Sequence, residues 1–426
     1  MFNVLAQKIA FWLYNLSWNL ALPWLRLNRR LAEGFKQRTL NNPLPAADLW
    51  IQAASVGESY LALEIIRTLE VDKTITILLT SNTRQGVDIL SRALTDQKRK
   101  DKGIQVCVGY FPFDKPAIME RAVKKACPDA MVLLETEIWP GLLRALKKYD
   151  CKTFIINGRI TDKSLKRYLV WPSLWRQFRP DKILAISPSD ADRFEKLFGA
   201  AGVEIMHNIK FDRIALSTIT DGDKNTIKTL LPPGIPFLVL ASVRREEEPS
   251  VEKIIHEIIR LRPQTVIGLF PRHMHRLKFW QAKLNQSGIR WSLRSKTVNS
   301  VSSGTVILWD TFGELLPAFQ LAKSAFIGGS LAPLGGQNFL EALVSGVIPI
   351  IGPSWENFAW VGREIIDAGL LRVAGDWKEV AAHILKDMAR TPSRENVIER
   401  ALQFVKARQG GTEQACRHIA ACLQNN

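Results

Sequence analysis

The sequence predicts an α/β protein built from two doubly wound parallel sheets, and three observations carry that prediction. Short apolar runs recur along the chain, each closed by glycine or polar residues and followed by a segment of helix length. This alternation starts near Leu49, lapses in a polar stretch at residues 217–225, and restarts at Pro236. With 426 residues, 46% hydrophobic and 23% charged, the chain is globular and long enough for two cores. Two open sheets in tandem place a ligand cleft between them, lined by residues that follow the strands.

The first thirty residues, MFNVLAQKIAFWLYNLSWNLALPWLRLNRR, are the most apolar. No charge falls between Ile9 and Leu25, although Asn15, Ser17, Asn19 and Pro23 interrupt the run. A helix crossing a bilayer needs roughly 20 apolar residues, so this one is marginal. Trp12, Tyr14, Trp18 and Trp24 suit a headgroup interface, and Arg26, Arg29 and Arg30 follow them. Residues 1–40 therefore read as a short anchor or an interfacial helix, with a buried core helix as the alternative. The basic cluster lies after the apolar run and no small-residue cleavage site follows, which argues against a secretory signal.

The first domain is expected over residues 41–216, with strands near 49–53, 74–80, 104–110, 130–134, 153–156 and 183–186. The second, over 217–426, has strands near 236–241, 265–270, 305–308, 324–327 and 347–351, then polar-faced helices from Trp377. Its centre is SAFIGGSLAPLGGQNFLEALVSGVIPIIGP, residues 324–353: strand, glycine-rich loop, helix, strand. Glycines allow close backbone approach and positive φ, and free N–H groups at a helix start attract anions, so a sugar-nucleotide phosphate fits this loop. Glu341 is placed to take ribose hydroxyls. The competing reading is a loop whose glycines only allow tight packing.

A net charge of +17 points to a polyanionic partner: nucleic acid, an acidic membrane surface or a phosphorylated lipid. The five cysteines form no CxxC pair, which argues against a disulfide framework and a zinc site. His273 and His275 lack companions that would complete a metal set. Asp190-Ala191-Asp192 opens a helix-like SDADRFEKLF, where acids favour the first turn, and is not read as a metal site. Residues 166–182, KRYLVWPSLWRQFRPDK, interleave cations and aromatics. They suit lipid headgroups, nucleic acid or a buried aromatic face. Residues 97–102, QKRKDK, read as a solvated turn.

Candidate chemistry gathers after the strands. Glu58, following Gly57 near a helix start, is either a proton acceptor facing the cleft or a helix-capping acid. Glu135 and Glu137 can orient Glu58 or a substrate hydroxyl, or can serve buried hydrogen bonds. Arg159 and Lys210 can take carboxylate or phosphate, with surface solvation as the alternative.

Eight stretches in register identify a family. They are AASVGE (53–58), YFPFD (110–114), LETEIWP (134–140), NGRITDKS (157–164), NIKFD (208–212), PRH (271–273), DTFGEL (310–315) and GGSLAPLGGQNFLE (328–341). Together they resemble the transferases of 3-deoxy-D-manno-octulosonic acid (Kdo) in lipopolysaccharide assembly. That resemblance implies a GT-B fold, two Rossmann-like doubly wound domains facing a central cleft, with an N-terminal apolar membrane-associating helix. It implies inverting, metal-independent transfer with no cofactor, from CMP-Kdo to a lipid A precursor (lipid IVA). The place implied is the cytoplasmic face of the inner membrane, among its lipids and without nucleic acid. The family's proposed base falls on Glu58. Its nucleotide contacts fall on Pro271, Arg272, Phe312, Gly313, Asn338 and Glu341, with Ser330, Gly335 and Gly336 shaping the loop. The chain departs from the family pattern at His207, at Gln337 and in SVRREEE (242–248), where charged bulk replaces small residues. The alternatives are another GT-B glycosyltransferase using a UDP- or ADP-sugar, a nucleotide-sugar epimerase of the same architecture, and a non-catalytic binder of membrane surfaces or nucleic acid.

Overall fold

The structure, a computed structural model, describes residues 2–96, 103–214, 227–390 and 392–424, with side chains from Ile9 onward. The stretches 97–102 and 217–225 lie outside the described residues. The chain forms two compact units, residues 1–213 with 408–426, and residues 214–407.

The first unit holds seven strands: β1 (Leu49–Gln52), β2 (Ile75–Ser81), β3 (Ile104–Tyr110), β4 (Ala130–Leu134), β5 (Lys152–Gly158), β6 (Lys182–Ala185) and β7 (Val203–Ile205). They pair in parallel in the order β3-β2-β1-β4-β5-β6-β7. Every residue of β1 and β4 is buried, as expected of strands covered on both faces. The order reverses between β1 and β4, and at such a reversal open sheets leave a crevice beyond the carboxyl ends of the strands.

The N-terminal helix, Phe2–Leu25, packs one face on this unit. The Phe11 ring meets Phe178 at 5.7 Å and lies under the Arg144 guanidinium, and the Tyr14 hydroxyl donates to Asp114 at 2.9 Å. The other face leaves Trp12, Leu13, Leu16, Leu20 and Trp24 exposed, Trp24 to 73%. No helix among the described residues is long and apolar enough to cross a membrane. Of the aromatics in 166–182, Trp175 and Phe178 are buried and Tyr168 and Trp171 pack partly against the same core. These four rings therefore serve packing rather than an exposed platform.

The second unit has β8 (Phe237–Val243), β9 (Val266–Pro271), β10 (Trp291–Leu293), β11 (Val306–Leu308), β12 (Ser324–Ile327), β13 (Pro349–Ile351) and β14 (Arg372–Val373). These too run parallel, in the order β10-β11-β9-β8-β12-β13-β14, reversing between β8 and β12.

The terminal helices divide differently from the sequence expectation, which put all of them with the second domain. Trp377–Ala389 and Arg394–Lys406 belong to the second unit, but Gly411–Gln424 joins the first. Its stripe of Ala415, Cys416, Ile419 and Leu423 shares a core with Leu61, Ile65 and Ile66. The Asp212 carboxylate accepts from Gly410 N and Thr412 N, both at 2.7 Å, and so tethers the start of that helix.

Candidate active site

The first cluster stands at the β1/β4 reversal. Ser55 caps the helix Val56–Thr68, its hydroxyl accepting from Glu58 N at 3.3 Å. The cap starts the helix at Val56 and places Glu58 within its first turn. The Glu58 carboxylate, 8% exposed, accepts from Ala54 N at 2.7 Å and from the Ser55 hydroxyl at 2.9 Å. The capping role and the place at the sheet's carboxyl edge thus coexist in one side chain. Burial raises its pKa and Glu135 adds to the rise, while the bonds from Ala54 and Ser55 and the charge of Arg159 oppose it.

Glu135, the residue after β4, has a left-handed backbone with φ of 56°. A non-glycine residue there is uncommon, and such strain clusters at functional loops. Its buried carboxylate pairs with Arg159 at 2.6 Å and with Lys210 at 2.7 Å. The structure therefore brings together three of the predicted residues as one ion-paired group. Arg159 and Lys210 are engaged with protein carboxylate rather than presented separately to a ligand.

Glu137 accepts from the Trp139 indole at 2.7 Å. Its pKa is pushed up to about 7, chiefly by burial and by the charge of Glu58, against hydrogen bonds from Trp139 and Gln52. Gln52 was not singled out from the sequence. It is fully buried, accepts from Thr80 at 2.6 Å, and Thr80 in turn accepts from the Trp50 indole at 2.8 Å. The signal available was a glutamine inside the all-buried strand β1, which required a polar partner.

Asp114, in the YFPFD stretch, acts as a structural tie. It accepts from Gly141 N at 2.9 Å and Leu142 N at 2.7 Å, capping the helix Pro140–Lys148, as well as from Tyr14. A Cβ on Gly141 would lie 2.5 Å from the Asp114 carbonyl oxygen, so only glycine admits this approach. Burial lifts the Asp114 pKa to about 7 despite those three donors. Asp190 likewise serves local structure, accepting from Ile160 N and from the Ser187 hydroxyl.

In the second unit the glycine loop differs from expectation in one important respect. Glu247, 1% exposed, fills its N–H groups. Gly329 N donates to it at 2.5 Å, Ser330 N at 3.2 Å, Leu331 N at 3.4 Å and Arg244 N at 3.0 Å. The nest expected for a phosphate thus holds a protein carboxylate. A Cβ on Gly328 would fall 2.3 Å from the Glu247 oxygen, which fixes glycine there. Three other loop residues bond inward. The buried Ser330 hydroxyl donates to Ile327 O and accepts from Gly352 N, Gly335 N donates to Ser354, and Gly336 N donates to Gly329 O. They shape the loop and expose no donor. Gln337 lies over Gly329, where a Cβ would come within 3.0 Å of its side chain.

The remaining candidates lie at the carboxyl edge of this sheet. Pro271 ends β9 and is buried, and Arg272 beside it is exposed. Phe312 is 83% exposed and Gly313 has φ of 85°. Their loop is braced by Glu314, which accepts from Thr311, from Trp309 and twice from Arg294 at 2.7–2.9 Å. The Asn338 amide donates to Glu341 at 2.7 Å; burial raises the Glu341 pKa and that bond opposes the rise. Among the described residues no group of three or more histidine, cysteine, aspartate or glutamate side chains is placed to hold a metal.

A family model described as 3-deoxy-D-manno-octulosonic-acid transferase (kdotransferase) matches residues 26–213. A 3-deoxy-D-manno-octulosonic acid transferase of Bordetella pertussis is 29% identical over 385 residues, covering 87% of this chain and 86% of that protein. One of Haemophilus influenzae is 26% identical, covering 94% of this chain and 93% of its own. A solved glycosyltransferase structure from Rickettsia africae covers 90% of this chain and 100% of its own, with a TM-score of 0.56 and 12% identity. That likeness is one of fold: two parallel-sheet α/β units of GT-B type.

Proposed function

From the premise that this chain is a relative of the 3-deoxy-D-manno-octulosonic acid transferases, we propose that it moves Kdo from CMP-Kdo to a lipid A precursor. The observation that carries the reading is Glu58, a buried carboxylate with raised pKa at the β1/β4 reversal, beside Glu135, Glu137 and Arg159. A carboxylate so placed, with its pKa raised by burial, can accept the proton of an acceptor hydroxyl.

The acceptor hydroxyl loses its proton to Glu58 while its oxygen attacks the anomeric carbon of Kdo. The bond from that carbon to the phosphate oxygen breaks on the opposite face, and CMP leaves with inversion. Arg272 neutralises the departing phosphate, Phe312 gives the cytosine a stacking face, and Asn338 with Glu341 meets the ribose. Glu135, held by Arg159 and Lys210, orders the acceptor side. Side-chain cations carry the leaving-group charge in this proposal, so dialysis against EDTA is expected to leave transfer intact.

The enzyme associates with the cytoplasmic face of the inner membrane. The exposed face of Phe2–Leu25, with Arg26, Arg29 and Arg30, seats in the headgroup region. The test is incubation of purified protein with labelled CMP-Kdo and lipid IVA, with UDP- and ADP-sugars in parallel. A Kdo-bearing lipid from the CMP donor supports the reading; transfer from a UDP- or ADP-sugar only, or none, overturns it.

A further inference from the structure

Glu247 takes the N–H groups of Gly329, Ser330 and Leu331, which turns attention to side chains as donors for an anionic ligand at the β8/β12 reversal. Cations at this carboxyl edge include Arg244 and the exposed Arg245 after β8, and Arg272 and Arg276 after β9. Arg276 is committed, forming a two-pronged pair with the buried Glu248 at 2.9 and 2.5 Å. Arg294, beside the Phe312 loop, is likewise committed to Glu314. Arg272 is exposed and joins no ion pair among the described residues.

Arg244 differs from all of these. Its side chain is 29% exposed, yet its Nε is buried and has no hydrogen-bond partner among the described residues. A Glu246 oxygen stands 3.9 Å from that Nε, beyond hydrogen-bond reach. A buried guanidinium N–H without an acceptor is costly, and a ligand oxygen would relieve it. Its backbone is fixed, since Arg244 N donates to Glu247 and so belongs to the clamp that shapes the loop. Arg244 and Arg272 also share one neighbourhood. His273 titrates below its ordinary value, first through desolvation and then through the charges of Arg244, His275 and Arg272.

We infer that Arg244 receives an anionic group of the sugar nucleotide, replacing backbone N–H groups that Glu247 has taken. The inference rests on the donor reading above only for the identity of the nucleotide. CMP-Kdo carries two anions, the phosphate and the sugar's carboxylate, and a guanidinium fork fits either. Paired with Arg272, it gives the site two cations for two anions. A neutral sugar on the same monophosphate would leave one of them unanswered, whereas a nucleoside-diphosphate sugar would meet both through its phosphates, so nucleotide competition is needed to tell the donors apart.

The test titrates CMP, UMP and UDP into full-length protein and into Arg244→Gln and Arg244→Lys, and measures KM for CMP-Kdo. Arg244→Gln is expected to raise the donor KM about tenfold or more, with Arg244→Lys recovering to within about threefold of the parent. Weakened CMP binding assigns the contact to the phosphate; unchanged CMP binding with raised donor KM assigns it to the carboxylate. A folded Arg244→Gln variant with CMP Kd and donor KM both within about twofold of the parent overturns the inference. If the parent binds a uridine nucleotide and ignores CMP, the donor reading falls, and Arg244 is judged by its effect on that nucleotide. Should the parent bind none of the three and transfer nothing, both fall.

Discussion

The Glu135 carboxylate accepts from the Lys210 ammonium at 2.7 Å, joining two residues 75 positions apart. Arg159 closes on the other oxygen at 2.6 Å, and Glu135 itself is buried. Removing one cation leaves a buried anion with half its neutralisation. Lys210→Met is therefore expected to cost about 1–3 kcal/mol in urea denaturation at pH 7. It is also expected to slow transfer more than it weakens CMP binding. An unchanged denaturation midpoint contradicts the assignment.

Glu137 sets a pH dependence of stability. Its pKa rises from 4.5 to about 7 in the folded protein. The folded state therefore holds this proton more tightly, a contribution fully present below pH 4.5 and lost as pH rises through about 7. The span is on the order of 3 kcal/mol. Glu137→Gln removes that titration, so its stability profile between these pH values is expected to be flatter than the parent's. An equal slope in both proteins would refute the shift.

Tyr14 ties the N-terminal helix to Asp114. Tyr14→Phe deletes one hydrogen bond, worth about 0.5–1.5 kcal/mol, and leaves the ring contact with Trp18. Limited proteolysis is expected to cut sooner within the first thirty residues, while the remainder of the chain resists as before. Parent-like cleavage means the helix is held by its remaining contacts without this bond.

Phe312 is exposed enough that its removal spares the fold. Phe312→Ala is expected to weaken CMP binding by about 1–3 kcal/mol with an unchanged Tm, as loss of a stacking face should. Unaltered affinity removes Phe312 from the site.

Much of this was legible in the residues. The central strands announced themselves as apolar runs because parallel strands are buried on both faces. The short strands β7, β10 and β14 did not: Val203–Ile205 carries Glu204, and Arg372–Val373 is two residues long. Glu58 was singled out as a carboxylate after a strand and near a helix start, with capping as the alternative, and the structure shows it bonded at that helix start. Glu247 was missed for a physical reason. A glycine loop looks empty in sequence, and nothing local says that an acid 82 residues earlier completes it. The last helix was misplaced because its apolar stripe fits either core, and the tether to Asp212 spans about 200 residues.

The most direct test of the central claim compares chemistry with binding in Glu58→Gln, which keeps the size of the side chain and removes its basicity. Activity in the parent should fall as pH drops through the raised pKa of Glu58, because the proton acceptor must be ionised. In Glu58→Gln, Kdo transfer to lipid IVA is expected to drop by about a hundredfold or more, with CMP affinity within about twofold of the parent. Transfer within about threefold of the parent, with the same pH profile, would contradict Glu58 as the base.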